Sequence, residues 1–336
     1  MKLLRKILIP FVPLYYSATW VRNMLYDLGI KSSKSYAIPV ICVGNLSVGG
    51  TGKTPMIEYL IRLLHNDYKL ATLSRGYKRK SKGFVLASTS TKASEIGDEP
   101  YQFFRKFKNI QVSVDTDRCH GIEKLLEQQS SPNIILLDDA FQHRKVNAGL
   151  NILLTPFDDL FVNDMVLPTG NLREPKSGAE RADIIVVTKC PTDITSSQKQ
   201  EIKGSLKLLK HQNVFFSSVI YSSLLVNNVD EYLLTDLKGK HFTLVTGIAN
   251  PKPLTMFLKS KQLDFEHLQF NDHHEFSEKD IQLLKTKKLV VTTEKDFVRL
   301  ESNFEQANNL YYLPIEVEID YAKEFNKCIT DFISGF

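Results

Sequence analysis

Lys53 and Thr54 close a glycine-rich turn in the stretch Val40–Pro55, VICVGNLSVGGTGKTP. An ammonium and a hydroxyl at that place suit a polyphosphate. The turn's backbone N–H groups converge on an anion, lysine reaches the outer phosphates, and the hydroxyl ligates magnesium. Ser47, Val48, Gly49, Gly50, Thr51, Gly52, Lys53 and Thr54 are therefore expected to cradle a nucleotide's chain of phosphates. The strict GxxxxGK[ST] pattern asks for glycine at position 47, where this chain has Ser47. Gly44, Gly49, Gly50 and Gly52 still supply flexibility.

A second set of oxygen ligands closes the apolar run Asn133–Asp139, NIILLDD. A strand ending in Asp holds the far side of magnesium in phosphate-loop enzymes, so Thr54, Asp138 and Asp139 form the expected Mg2+ set. Such a pair can also cap a helix, but its order behind a phosphate loop favours the metal. In Glu95–Pro100, EIGDEP, Asp98 and Glu99 lie between a glycine and a helix-starting proline. Asp98 could accept the proton of an attacking hydroxyl, or serve only as a helix cap. Phe270–Phe276, FNDHHEF, clusters His273 and His274 with two acids; without a nearby cysteine it makes a weak metal site, while an Asp–His pair can tune a general base.

These groups need elements to position them. The run before the turn reads as a buried strand, with a helix opening at Thr54 and running through Met56–Leu64. Lys69–Ser74 reads as a second strand, leading into Arg75 and Tyr77. Strands and helices alternate as far as Gly149, which predicts right-handed βαβ units, a parallel sheet and ligands at the strands' carboxyl ends. Another strand ends at Asn151–Pro156. Phe157–Glu180 is irregular and reads as a linker holding Arg173 and Glu174 between prolines. Ala182–Thr188, Phe242–Thr246 and Leu289–Thr293 read as strands of a second unit. The expected fold is α/β, a P-loop NTPase-like parallel sheet flanked by helices with a second smaller α/β domain. Its divisions are 1–30, 31–156, 157–180 and 181–336, the C-terminal end being free to pack back on the first. Thr188-Lys189 and Thr293–Asp296 resemble a base-reading TKxD.

At 336 residues and 43% hydrophobic content the chain can bury a full core, and its four dispersed cysteines, Cys42, Cys119, Cys190 and Cys328, suit a reduced cytosolic protein. The net charge of +5 arises before Tyr36, from Lys2, Arg5, Lys6, Arg22, Lys31 and Lys34 against Asp27. Pro10, Pro13 and Arg22 break the apolar run Ile7–Ile30, so it does not read as a bilayer span. Leu14, Ala18, Val21, Leu25 and Leu28 share one helical face among Tyr15, Tyr16, Trp20 and Tyr26. A basic, aromatic, amphipathic helix over 1–30 is expected to lie on an anionic membrane surface, the alternative being a helix packed on the core. No nucleic-acid partner is expected.

The motifs together resemble the tetraacyldisaccharide 4'-kinase family, the lipid A 4'-kinases of Gram-negative bacteria. GNLSVGGTGKTP at Gly44–Pro55, SRGY at Ser74–Tyr77, GDEP at Gly97–Pro100 and Asp117-Arg118 carry the likeness. LLDDAFQHR at Leu136–Arg144, LPTGNLREP at Leu167–Pro175, FNDHH at Phe270–His274 and TTEKD at Thr292–Asp296 continue it in order. Asn171 replaces a proline usual before LREP. The resemblance implies ATP-dependent phosphorylation of the 4'-hydroxyl of a lipid A disaccharide 1-phosphate at the cytoplasmic face of the inner membrane, with no obligatory protein partner. It implies Asp98 and His273 as a general-base pair beside Lys53, with His274 able to exchange roles. Substrate contacts are expected from Arg75, Tyr77, Glu99, Gln142, His143, Asn171, Arg173 and Glu174. A P-loop GTPase or metallochaperone-like switch, reading guanine through the TKxD-like stretches, and a soluble small-molecule kinase are the rival readings.

Overall fold

β1 (Val40–Asn45) is buried along its whole length and feeds two cores, Val40 and Cys42 joining one and Ile41 and Val43 the other. A strand apolar on both faces belongs inside a sheet covered on both sides. In this computed structural model, which describes residues 5–304 and 309–336, β1 is the middle strand of nine.

The strands that follow are β2 (Leu70–Ser74), β3 (Val85–Leu86), β4 (Gln111–Val114), β5 (Ile134–Asp138), β6 (Leu150–Pro156), β7 (Ile184–Thr188) and β8 (Asn213–Tyr221). Then come β9 (Leu224–Val226), β10 (Glu231–Leu233), β11 (His241–Thr246), β12 (Asp264–Gln269), β13 (Val290–Thr293), β14 (Leu310–Leu313) and β15 (Ile315–Ile319). The large sheet has the order β15-β8-β7-β6-β1-β5-β2-β4-β3 and is parallel except where β3 and β15 join as edges. A six-stranded sheet, β10-β9-β14-β13-β11-β12, forms the second unit. β1 leads over β5 to β2, and β5 leads back over β1 to β6. The chain therefore reverses between two neighbouring strands, the place where open α/β sheets bind ligands.

Two expected boundaries move. β7, expected to open the second unit, pairs with β6 from Ile152↔Ile184 to Pro156↔Thr188, so the large sheet extends through it and through β8. Only β9–β14 form the second sheet, and β15 returns to pair with β8. The stretch 157–180 is no linker either. Leu160, Phe161, Val166, Leu172 and Ala179 are buried in the core beneath β1, and Leu172 bridges to Ser47. Its apolar residues join that core from an irregular, largely loop-like stretch and so follow no helical or strand period.

Five helices matter for the site. α1 (Val12–Asp27) precedes the sheet. α2 (Lys53–Leu64) buries Met56, Ile57, Leu60, Ile61 and Leu64, an i, i+1, i+4 stripe, against it. α3 (Asp98–Lys106) and α4 (Arg118–Leu126) follow β3 and β4, and α5 (Glu294–Leu300) follows β13 in the second unit. The C-terminal helix Ala322–Ser334 packs Phe325, Ile329 and Ile333 into the same core as α2. Among the described residues no helix is long and apolar enough to cross a membrane.

α1 is turned inside out. Leu14 is 72% exposed, and Trp20, Val21 and Leu28 are also exposed, while Asn23 is buried. Leu25 is half-buried, so the expected stripe is not uniformly outward. Lys2 lies outside the described residues.

Candidate active site

The loop between β1 and α2 is fixed from three sides. Arg173 N–H donates to the Leu46 carbonyl at 2.7 Å, and Val48 N–H to that of Asn171 at 2.8 Å. The Thr188 hydroxyl, at the end of β7, donates to the Thr51 carbonyl at 2.8 Å, and the Asn45 side chain holds the Thr51 hydroxyl at 2.9 Å. Ser47 lies in a bridge with Leu172 and has no left-handed backbone, which is why glycine is not required there. Gly52, at φ +92°, makes the turn into α2. Lys53 thus enters at the helix N-terminus with its Nζ 3.6 Å from Asp139 Oδ1.

β5 runs beside β1 with Asp138 opposite Val43, so the two aspartates emerge at the level of the loop. Asp138 is buried. Burial first, then the charges of Glu99 and Asp139, push its carboxyl up to about 7. Its Oδ2 accepts from the Ser74 hydroxyl at 3.2 Å, while Oδ1 has no partner among the described residues. A buried carboxylate oxygen left unpaired fits magnesium, which takes hard oxygen ligands. Asp139 turns at φ +49° toward Lys53 and Arg173, whose Nη1 lies 2.9 Å away. Burial would raise its pKa, but these two cations hold it below the ordinary value. Beneath both, Arg118 reaches the Asp138 and Asp139 carbonyls at 3.4 Å.

Asp98 and His273 meet across the cleft between the two sheets. Gly97, at φ +93° and packed on the Tyr77 carbonyl, turns the chain so that Asp98 opens α3. His273 follows β12 with φ +57°, its Nδ1 3.8 Å from Asp98 Oδ2 and its ring edge-on to Tyr77 at 5.9 Å. Arg299 of α5 lies between them, its Nε 2.8 Å from Asp98 Oδ2 and its Nη2 2.8 Å from His273 Nδ1. Burial raises the Asp98 pKa, but the adjacent His273 and Arg299 outweigh it, and the carboxyl is held below its ordinary value. His274 is elsewhere, bonded to Asp280 at 3.1 Å and stacked on Phe270.

The remaining expected contacts divide. Arg75 and Tyr77 are exposed, and Glu99 is paired with Lys295 of α5 in the cleft. Arg173 bridges Asp139 and Gln142. Glu174, expected at the substrate, is instead a buried anchor that accepts from Asn23 (2.6 Å), Gln142 (2.9 Å) and Arg181 (2.9 and 3.0 Å). Gln142 spends its amide on Glu174 and the Asn45 carbonyl. His143 accepts the Arg118 N–H at the start of α4, and the Asn171 side chain accepts from Arg5. In the two TKxD-like stretches the partners differ. Asp296 is fully buried and consumed by Gly247 N–H, Thr293 and Arg299, and Lys189 bonds the Gly50 carbonyl of the phosphate loop. Arg299 was not singled out by sequence reasoning, while Arg118, Lys189 and Lys295 were read only as parts of Asp117-Arg118 and the TKxD-like stretches.

A family model described as tetraacyldisaccharide-1-P 4'-kinase matches residues 4–334. The chain is 50% identical over 337 residues to the tetraacyldisaccharide 4'-kinase of Flavobacterium johnsoniae, covering 99% of this chain and 98% of that one. It is 51% identical over 341 residues to the enzyme of the same name from Flavobacterium psychrophilum, covering 100% and 98%. The crystal structure of LpxK from Aquifex aeolicus in complex with ATP matches with a TM-score of 0.79 at 32% identity, covering 98% of this chain and 99% of that one. Likeness that runs from one end to the other admits one conclusion: the chain belongs to the tetraacyldisaccharide-1-phosphate 4'-kinase family.

Proposed function

We propose that this chain transfers the γ-phosphoryl group of ATP to the 4'-hydroxyl of a tetraacylated disaccharide 1-phosphate, and that Lys53, Asp98 and His273 carry the chemistry. The phosphate loop and the N-terminus of α2 cradle the phosphates, with Lys53 at the transferring group. Thr54 and Asp138, with Asp139 beside them, would hold Mg2+, which neutralises charge on the phosphate oxygens. Asp98 and His273 take the acceptor's proton as its oxygen attacks, and Arg75, Tyr77, Glu99 and Arg173 line the approach. His143, Asn171, Gln142 and Glu174 support this region from behind.

The observation that carries the reading is the meeting of Asp98, at the start of α3, and His273, in the loop after β12, at 3.8 Å. Assistance from a positioned base is worth about 10²–10⁴ in rate. The test is phosphate transfer from labelled ATP to disaccharide 1-phosphate in mixed micelles. Asp98→Ala and His273→Ala should each lower kcat heavily, and the double variant should fall little below the worse single one. Additive losses would show separate roles, and a harmless His273→Ala would remove the pair.

The exposed apolar side of α1 supports a further part of the reading, that the protein rests on the anionic cytoplasmic face of the inner membrane. Tyr15, Arg22 and Asn23 turn inward to Arg173, Gln142 and Glu174, so the face beside the substrate loop is held and the opposite face is left for lipid.

A further inference from the structure

Away from the phosphate loop, one group of side chains of three different chemistries converges among the described residues. Asp117, Cys119 and His143 each offer one ligand atom, an oxygen, a sulfur and a nitrogen, and the three atoms lie within 4.8 Å of one another. Asp117 Oδ1 and His143 Nε2 are 3.7 Å apart. Zinc bonds such atoms at about 2.0–2.3 Å, which sets them roughly 3.3–3.6 Å from one another at the corners of a tetrahedron. The remaining closure is within reach of side-chain rotation.

The backbone under these ligands is already fixed. Asp117 caps α4, its Oδ1 accepting the Cys119 N–H at 3.0 Å, and its own N–H donates to Asp115 Oδ1 at 3.0 Å. Cys119 follows in the first turn of α4, its carbonyl accepting from the Tyr36 hydroxyl at 3.4 Å. His143 stands on the turn after β5, where its N–H donates to the Ala140 carbonyl at 2.7 Å and its carbonyl accepts from Val146 N–H at 3.1 Å. A metal would displace only two weak contacts, His143 Nε2 with the Arg118 N–H at 3.3 Å and the Cys119 thiol with the Lys145 carbonyl at 3.5 Å. All three side chains are half-buried, and Cys119 lines a cavity of about 600 Å³ with Ser32, Ser33, Lys34 and Lys145, which gives an ion a way in.

The donor set selects the ion. Magnesium takes oxygen and leaves a thiol alone, whereas thiolate and imidazole suit zinc. One thiolate, one carboxylate and one neutral imidazole on a dication leave no net charge, which matters beside cations. Lys145 Nζ is 3.2 Å from Asp117 Oδ2, on the carboxylate edge away from the cluster, and Lys34 is spent on Glu123 at 2.6 Å.

We propose that Asp117, Cys119 and His143 form a zinc site, with water as the fourth ligand, that ties the start of α4 to the turn after β5. The thiol proton of Cys119 passes to solvent as the Zn–S bond forms. The inference goes beyond the kinase reading and does not depend on it.

The experiment uses the full chain stripped with chelator and titrated with Co2+, whose bond to a thiolate gives a near-ultraviolet charge-transfer band, and then with Zn2+ in competition. Wild type should take up one equivalent with that band, and one equivalent of Zn2+ should abolish it. Cys119→Ala should show no band, His143→Gln should bind both ions far more weakly, and Cys190→Ala, which removes a buried thiol elsewhere, should behave as wild type. Lys145→Met removes a repelling charge and should bind more tightly. A second measurement needs no variant: saturating Zn2+, unlike Mg2+, should protect Cys119 of wild type from iodoacetamide, read by peptide mass. Absence of the band in wild type, its survival in Cys119→Ala, or alkylation of Cys119 at the same rate with and without Zn2+ would each overturn the site.

Discussion

Asp138 and Asp139 stand one peptide apart, yet burial and two carboxylate neighbours push the first up to about 7 while Lys53 and Arg173 hold the second low. The difference sets a measurable pH dependence. Below about 7, magnesium must displace a proton from Asp138, so affinity of the protein for Mg2+ should fall by roughly tenfold per pH unit there and level off above it. Asp138→Asn should weaken Mg2+ binding at every pH, abolish that slope and lower turnover by orders of magnitude. A manganese titration followed by electron paramagnetic resonance checks this, and an unchanged slope in the variant would sink the role. Lys53, Thr54, Asp138 and Asp98 were readable in the sequence because each stands at a fixed offset from a strand end or a glycine turn. Arg299 was not, because its meaning lies in two partners 201 and 26 residues away. Glu174 misled for the complementary reason. A carboxylate flanked by prolines reads as presented to a ligand, and nothing local reveals the three side chains that bury it.

At the scale of elements, α1 shows how periodicity can locate a face without saying what covers it. Leu14, Val21 and Leu28 were legible as a stripe, and they are exposed. Leu14→Glu should therefore release the protein from vesicles containing anionic lipid without lowering its melting temperature, since the side chain is 72% exposed. High salt should release wild type only in part, because apolar burial is not screened. Failure of wild type to sediment with such vesicles would end the membrane reading. β7 was legible as a strand but not as a member of the large sheet, because an all-apolar strand fits the middle of either sheet equally well. Only its register with β6 decides.

At the scale of the molecule, the two units are joined by charge as well as by chain. Lys106 on α3 contacts Glu58 of α2 at 2.7 Å and Glu294 of α5 at 3.0 Å, and Glu58 is almost fully buried. Burial and the Glu58 charge push Glu294 up to about 7. That value lies above its ordinary 4.5, so the folded state holds this proton more tightly, and stability is lost as pH rises from the lower value through about 7. Lys106→Met leaves two facing carboxylates and should cost about 3–5 kcal/mol at pH 8 and clearly less at pH 5.5. Unfolding measured at both values checks this, and equal losses would refute it. The return of β15 has a consequence in time. β8 is translated before the whole second unit, and its partner β15 only after it, so an edge of the large sheet stays open while synthesis proceeds at about 5–20 residues per second. An unpaired edge invites pairing with other chains, and a nascent protein that is slow to finish is exposed to it for longer. α1, made first, can settle on a surface while the strand that closes the sheet is still on the ribosome.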